Sequence, residues 1–161
     1  MADKNQKTEK PCRACSDFKS WTKRMTGAKK SNDQQENINL DAEKEDKKIE
    51  CPVDKDALGH STWNFLHTMA AYYPNEPTNK QQHEMKQFIK LFSKFYPCDH
   101  CAIHLQQRLK TESPNTSNNT ALSKWFCDVH NEVNLRLGKN TFDCSKVMDR
   151  WKDGWPDGSC D

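Results

Sequence analysis

Glycine is sparse, at five in 161 residues, and none of the five builds a G-x-G-x-x-G fingerprint or a phosphate-binding loop. A Rossmann or P-loop mode of nucleotide binding is thereby excluded. Apolar residues make up only 34% of the chain, against about 45–50% in soluble globular domains, so part of the chain is expected not to fold. No run approaches the roughly 18 apolar residues of a membrane span, and none is expected. Net charge is also close to absent: 25 Lys and Arg face 23 Asp and Glu, leaving +2, which gives no reason to expect nucleic acid or a membrane surface as partner. The start, Met1-Ala2-Asp3-Lys4-Asn5-Gln6-Lys7, has neither the apolar stretch of a secretory signal nor the acid-poor character of a presequence. No cleavable targeting segment is expected.

Cysteine is the exception, with eight residues, an even number that reads as disulfides in an oxidising compartment or as thiols held on metal in a reducing one. Residues 1–50 hold 13 apolar residues and residues 51–161 hold 41, so the core is expected in the second part. From Thr26 to Glu50 the chain is rich in Gln, Asn, Lys and Glu with no aromatic residue, too polar to offset the entropy of ordering. The organisation expected is a tail over 1–25 with its own Cys-x-x-Cys, a disordered linker over 26–50, and a folded domain over 51–161.

Within that domain the periodicity is helical. Ser61 or Thr62 would cap a helix from Trp63 to Tyr73, with Leu66, Ala70 and Tyr73 on one side. Met85, Phe88, Ile89, Phe92 and Phe95 then mark one face of a second helix ending near Pro97. A third carries Cys101, Leu105 and Leu109, and a fourth runs from Ala121 to Leu137 and stops at Gly138. A short fifth is expected around Ser145 to Trp151. No stretch alternates β-branched residues with period two, so the fold class expected is all-α, a four-helix bundle with a short fifth helix.

Cys12 and Cys15 form one Cys-x-x-Cys unit and Cys98 and Cys101 the other. A zinc ribbon wants two such units about 15–20 residues apart, and here a long linker separates them, so structural zinc is the lesser reading. Pro97 suits the first turn of a helix, placing Cys98 at a helix N-terminus where unpaired amides favour a thiolate. His100, when protonated, adds to that effect and Asp99 opposes it. Redox chemistry is preferred to an inert staple, because short Cys-x-x-Cys bonds exchange readily. Cys127 and Cys144 are placed for a local disulfide between the fourth and fifth helices. Cys51 and Cys160 bracket the folded part and close either one chain or a pair of chains.

On the fourth helix, Cys127, His130, Asn131 and Asn134 share one face beside an apolar face of Leu122, Phe126, Val129, Val133 and Leu137. Such a stripe can hold a polar planar ligand, although on this helix alone a solvated face with a satisfied histidine is the simpler reading. His67, four residues after Trp63, is open to the same two readings. A dithiol oxidised repeatedly needs a two-electron sink that no side chain supplies, and without glycine-rich loops a dinucleotide would have to sit in the bundle. Two competitors are weaker: a disulfide-stapled binding module with structural or metal-held Cys-x-x-Cys units, and a thioredoxin-like isomerase, which would want a βαβ pattern.

Five blocks, HSTWNFLHTMAAYYP, FIKLFSKFYPCDHCAIHL, WFCDVHNEVNLRLGK, FDCSKVMDRWKDGW and the terminal DGSCD, resemble the flavin-linked sulfhydryl oxidases of the augmenter-of-liver-regeneration family. The tail segment KPCRACSDFKSW resembles the start of that family's long, mitochondrial form. The signature is Trp63 and His67, then Tyr-Pro-Cys-x-x-Cys, then Cys-x-x-His-Asn-x-x-Asn, in that order. The resemblance implies a bundle holding FAD non-covalently and a homodimer joined by Cys51 to Cys160 disulfides. It implies Cys101 against the flavin, Cys98 as the thiol that exchanges with substrates, and Cys12 and Cys15 as a shuttle. The flavin contacts it implies are Lys55, Gly59, Trp63, His67, Tyr96, Cys127, His130, Asn131, Asn134, Lys139 and Trp151, with Cys127–Cys144 as a staple and no metal. It further implies oxygen and cytochrome c as electron acceptors and an import oxidoreductase as dithiol substrate. The location it implies is the mitochondrial intermembrane space, with a cytosolic pool. Asp99-His100 stands where relatives commonly carry two acidic residues, and Lys55 and His60 where an arginine is common. Lys110 and Leu122 stand in the neighbourhood of two further cysteines of some relatives.

Overall fold

A computed structural model describes residues 51–160 of the chain. The tail over 1–25 with Cys12 and Cys15, and the linker over 26–50, lie outside the described residues. The four main helices are α1 (Lys55–Ala71), α2 (Asn79–Phe95), α3 (Asp99–Thr111) and α4 (Asn119–Arg136), followed by a 3₁₀ turn Cys144–Lys146 and a π-helical turn Asp149–Asp153. Among the described residues there is no strand, and none of these helices is long and apolar enough to cross a membrane. The fold is the all-α bundle expected from periodicity.

Helix α1 begins eight residues before Trp63. Asp54 caps it by accepting from the Ala57 N–H at 2.8 Å, and Asp56 lies in its first turn, where a carboxylate suits the helix dipole. Ser61 and Thr62 are therefore interior positions, a correction to the expected cap: the turn from Lys55 to Gly59 carries no apolar period to announce a helix. Helix α2 opens with a full capping box, in which Thr78 Oγ1 accepts from the Gln81 N–H and Gln81 Oε1 accepts from the Thr78 N–H. Cys98 is the N-cap of α3, so Pro97 precedes the helix instead of occupying its first turn. Gly138, at φ 67°, ends α4 in the left-handed region. There the Lys139 N–H reaches back to the Asn134 carbonyl at 2.8 Å. The expected fifth helix is divided into the 3₁₀ and π turns.

The core lies where α1 meets α4 and joins Leu66, Ala70 and Tyr73 to Leu122, Trp125, Phe126 and Val129, with Ile89 from α2. Met85 and Phe92 pack against this cluster, whereas Phe88 and Phe95 do not. Phe95 is 79% exposed and Phe88 36%, so the apolar stripe of α2 faces two directions. Three side-chain hydrogen bonds tie the seams to the backbone, while Ser123 Oγ and Trp125 Nε1 are buried without a partner. Asn119 donates to the Ala71 carbonyl, the Tyr73 hydroxyl to the Thr116 carbonyl at 3.3 Å, and the Gln106 amide to the Ser93 carbonyl at 2.8 Å. Arg108 of α3 contacts Glu112 at 2.7 Å and Glu132 of α4 at 2.8 Å. Burial works against that guanidinium's charge, but the two carboxylates prevail and hold its pKa above the ordinary value.

Leu122 is fully buried, so Leu122→Ala is expected to destabilise the fold by about 2–5 kcal/mol. A shift of the urea unfolding midpoint with an unchanged slope would report it.

Candidate functional site

Continuous with the core, residues of α1, α3 and α4 line a cavity of about 520 Å³, within the usual range of about 300–1,000 Å³ for ligand sites. Trp63 and His67, one turn apart on α1, meet His130 of α4 and Trp151 of the π turn. Trp63 stacks on His130 with centroids 4.0 Å apart and planes 5° from parallel, and His67 stacks on Trp151 at 4.7 Å and 7°. Between the two stacks, His67 Nε2 and His130 Nδ1 share a hydrogen bond of 3.0 Å. The Arg150 guanidinium lies 4.3 Å from the Trp151 ring centre, a cation–π arrangement.

All eleven residues expected at a cofactor line this one cavity: Lys55, Gly59, Trp63, His67, Tyr96, Cys127, His130, Asn131, Asn134, Lys139 and Trp151. Asn131 lines it with its amide already engaged. Its Nδ2 donates to the Phe142 carbonyl and its Oδ1 accepts from the Phe142 N–H, both at 2.8 Å. The same Nδ2 lies 3.4 Å from Cys144 Sγ. Asn131 thus fastens the loop after α4 beside the Cys127–Cys144 disulfide, which is formed. The stripe on α4 is a cavity wall, not a solvated face, and Val133 and Leu137 extend that wall past the core.

Cys98 and Cys101 are joined. Cys101 lines the cavity and Cys98 does not, so one sulfur faces inward and its partner outward. Cys98 receives no side-chain hydrogen bond at its cap, leaving the first-turn amides of α3 to favour negative charge there. Cys51 and Cys160 are both exposed, and Cys12 and Cys15 lie outside the described residues.

Several cavity residues escaped the sequence reading: His104, Leu105 and Arg108 on α3, Arg136 on α4, and Phe142 and Arg150 beyond it. A signal for the first three was present, since Cys101, His104, Leu105 and Arg108 stand at i, i+3, i+4 and i+7 and so share a helix face. Arg150 had no such signal, because it lies on a π turn.

The lining fits a planar, polyanionic dinucleotide. Stacked rings supply a flat wall, and Lys55, Lys139, Arg136 and Arg150 supply cationic charge with Asp56 the one carboxylate beside Glu132, which Arg108 holds. His67 Nδ1 is buried without a partner, an available polar contact for a ligand in the cavity. Burial, then His130, then Arg150 push His67 down to about 3, and burial with Lys139 pushes His130 down to about 4. Both rings are neutral at physiological pH. An unfolded histidine takes up its proton near 6.5 while these two do so only near 3 and 4, so between those values the unfolded chain binds more protons and stability falls as pH is lowered. Urea unfolding of the cofactor-free chain is expected to show that decline from pH 6.5 toward 4, and His67→Gln to flatten it.

Residues 60–152 match the Erv1/Alr family profile. The chain is 44% identical over 104 residues to the mitochondrial FAD-linked sulfhydryl oxidase ERV1 of Saccharomyces cerevisiae, a match covering 65% of this chain and 55% of that protein. The mitochondrial FAD-linked sulfhydryl oxidase erv1 of Schizosaccharomyces pombe is 36% identical over 150 residues, covering 84% and 82%. The chain thus spans a little over half of the first relative and most of the second. Among solved structures, the yeast Erv1 core is similar with a TM-score of 0.65 and 40% identity, over 73% of this chain and 99% of that one. The FAD binding domain of Erv1 from Saccharomyces cerevisiae gives 0.63 and 43%, over 65% and 99%. With more than half its length matching the family profile, and the bundle, the stacked rings and the Cys-x-x-Cys in their expected order, the chain belongs to the Erv1/Alr family.

Proposed function

We propose that the chain is an FAD-dependent thiol oxidase that forms disulfides in protein substrates. The observation that carries this reading is the position of the Cys98–Cys101 bond at the mouth of the aromatic cavity, Cys101 facing in and Cys98 facing out. FAD would be held by the eleven lining residues named above and would supply the two-electron acceptor that side chains cannot provide, with oxygen or cytochrome c as the terminal acceptor.

The chain's own residues perform the thiol chemistry. A substrate thiolate attacks Cys98 Sγ, the Cys98–Cys101 bond breaks, and Cys101 leaves as a thiolate lining the cavity. The second substrate thiol then attacks the mixed disulfide, releasing oxidised substrate and the Cys98 thiol. Two electrons have moved from the substrate to the pair, and each cysteine is reduced. The helix N-terminus stabilises negative charge at Cys98, and His67 and His130 stay neutral beside it in the cavity wall.

Cys12 and Cys15 act as a tethered shuttle between substrate and Cys98, gaining the effective concentration of an intramolecular partner. Exposed Phe65 on α1 with Phe88, Leu91 and Phe95 on α2 support a homodimer, since apolar exposure of this kind marks interfaces. Cys51 and Cys160, both exposed, join its subunits. An import oxidoreductase is the dithiol substrate, and the work is oxidative folding and import in the mitochondrial intermembrane space, with a cytosolic pool.

The purified chain is expected to be yellow, with a flavin band that bleaches when a dithiol is added under nitrogen. Cys101→Ser is expected to keep the bound flavin and to lower dithiol-dependent oxygen consumption to background; an unaltered rate in that variant would sink the reading. Full-length protein is expected to run at twice the monomer mass on a non-reducing denaturing gel and at the monomer mass after Cys160→Ser.

A further inference from the structure

Two histidines flank the redox pair on its own helix and take no part in the thiol chemistry above. His100 and His104, one turn apart on α3, bring their Nε2 atoms to 3.0 Å with ring centres 4.3 Å apart. Together with Cys101 they line the same cavity, and Cys98 is bonded to Cys101 at a Cα separation of 5.3 Å. The run is Cys98-Asp99-His100-Cys101-Ala102-Ile103-His104, two thiols and two imidazoles within two turns. While the sulfurs are joined they are unavailable as ligands, and no group of three or more such side chains among the described residues is arranged to hold a metal. Reduction releases two thiols at the same place.

We propose that reduction of Cys98–Cys101 creates a zinc site in which both thiolates and the imidazoles of His100 and His104 are the ligands. Two nitrogens bound to one zinc ion at about 2.0–2.1 Å lie about 2.9–3.4 Å apart for bond angles between a right angle and the tetrahedral one. The observed 3.0 Å falls inside that interval without any helix movement. Two thiolates with two imidazoles is the donor set of tetrahedral structural zinc. His104 Nδ1 is buried without a partner, so no fixed hydrogen bond opposes its reorientation.

The step balances: one zinc ion replaces two thiol protons, each imidazole binds as the neutral ring, and no electron moves. Bound in this way the pair is withheld from reoxidation, so zinc retains the enzyme in its reduced state. The site needs only a reducible Cys98–Cys101 bond and does not depend on the FAD reading.

The test uses full-length protein carrying Cys12→Ser and Cys15→Ser, which removes the other Cys-x-x-Cys. It is reduced by a limited amount of dithiol, freed of small molecules under nitrogen, and titrated with zinc against a colorimetric chelator. We expect one zinc per reduced chain, none in the oxidised chain, and an affinity lowered at least about tenfold when His100→Ala and His104→Ala are combined. Cobalt(II) in place of zinc is expected to give tetrahedral d–d bands at the red end of the visible spectrum, where reduced flavin does not absorb. Equal uptake by oxidised and reduced chains overturns the proposal, and that comparison needs no histidine variant to fold. Uptake by the reduced chain that the double histidine variant leaves unchanged overturns it as well. A colourless, flavin-free preparation that still gains zinc on reduction would count against the oxidase reading alone.

Discussion

The approach of α1 to α4 is the constraint on which the rest of the structure depends. Ala70 and Ala71 are fully buried at the end of α1, and Leu66 packs against the Leu122, Phe126 and Val129 side of α4. His67 is adjacent to Leu66 in sequence, and His130 to Val129. The core that fixes the register of the two helices therefore also fixes the hydrogen bond between the two histidines, and with it both ring stacks. Site and core are successive turns of the same two helices, so a change that shifts the core would move the cavity wall with it.

The sequence was most legible where the period of α4 was complete. Leu122, Phe126 and Val129 spaced the core face, and Cys127, His130, Asn131 and Asn134 spaced the cavity face, because an α-helix turns about 100° per residue whatever it packs against. Periodicity alone left open whether that second face meets solvent or a ligand. The answer comes from Trp63 and Trp151, distant in sequence, which close the wall. The start of α1 was hidden for a different reason. Its first turns hold Lys55, Asp56, Gly59 and His60, none buried, so there was no apolar stripe, and only the Asp54 cap marks the boundary. Phe88 and Phe95 share the spacing of Ile89 and Phe92, but spacing reports a shared face and not what lies opposite it.

Charge follows the same division. Arg108 is held between Glu112 and Glu132, so its guanidinium serves the packing of α3 on α4. Lys139 is positioned by the Gly138 turn, and Arg150 by the π turn over Trp151. These two cations stand at the cavity because irregular backbone puts them there. Lys55 of α1 and Arg136 of α4 add to them. Such cations suit an anion whose position is set mainly by stacking, since flexible lysine and arginine side chains can follow a ligand that rigid rings have already oriented.

The two disulfides show how one covalent bond takes different chemical characters from its surroundings. Cys127 is 2% exposed, its partner Cys144 is within reach of the Asn131 amide, and that amide is tied to the Phe142 backbone on both its oxygen and its nitrogen. An attacking thiolate needs access to a sulfur and a leaving group that accepts charge; Cys127 is buried, and the half-buried Cys144 has the Asn131 amide beside it. Cys98 and Cys101 meet both conditions: the outer sulfur is partly exposed at a helix N-terminus, and the inner one opens on a cavity rimmed with cations. Beyond the shorter loop of Cys98–Cys101, the distinction is one of surroundings. It lies in whether the first turn of a helix or the flank of a closed wall holds the sulfur, and α3 and α4 supply one of each.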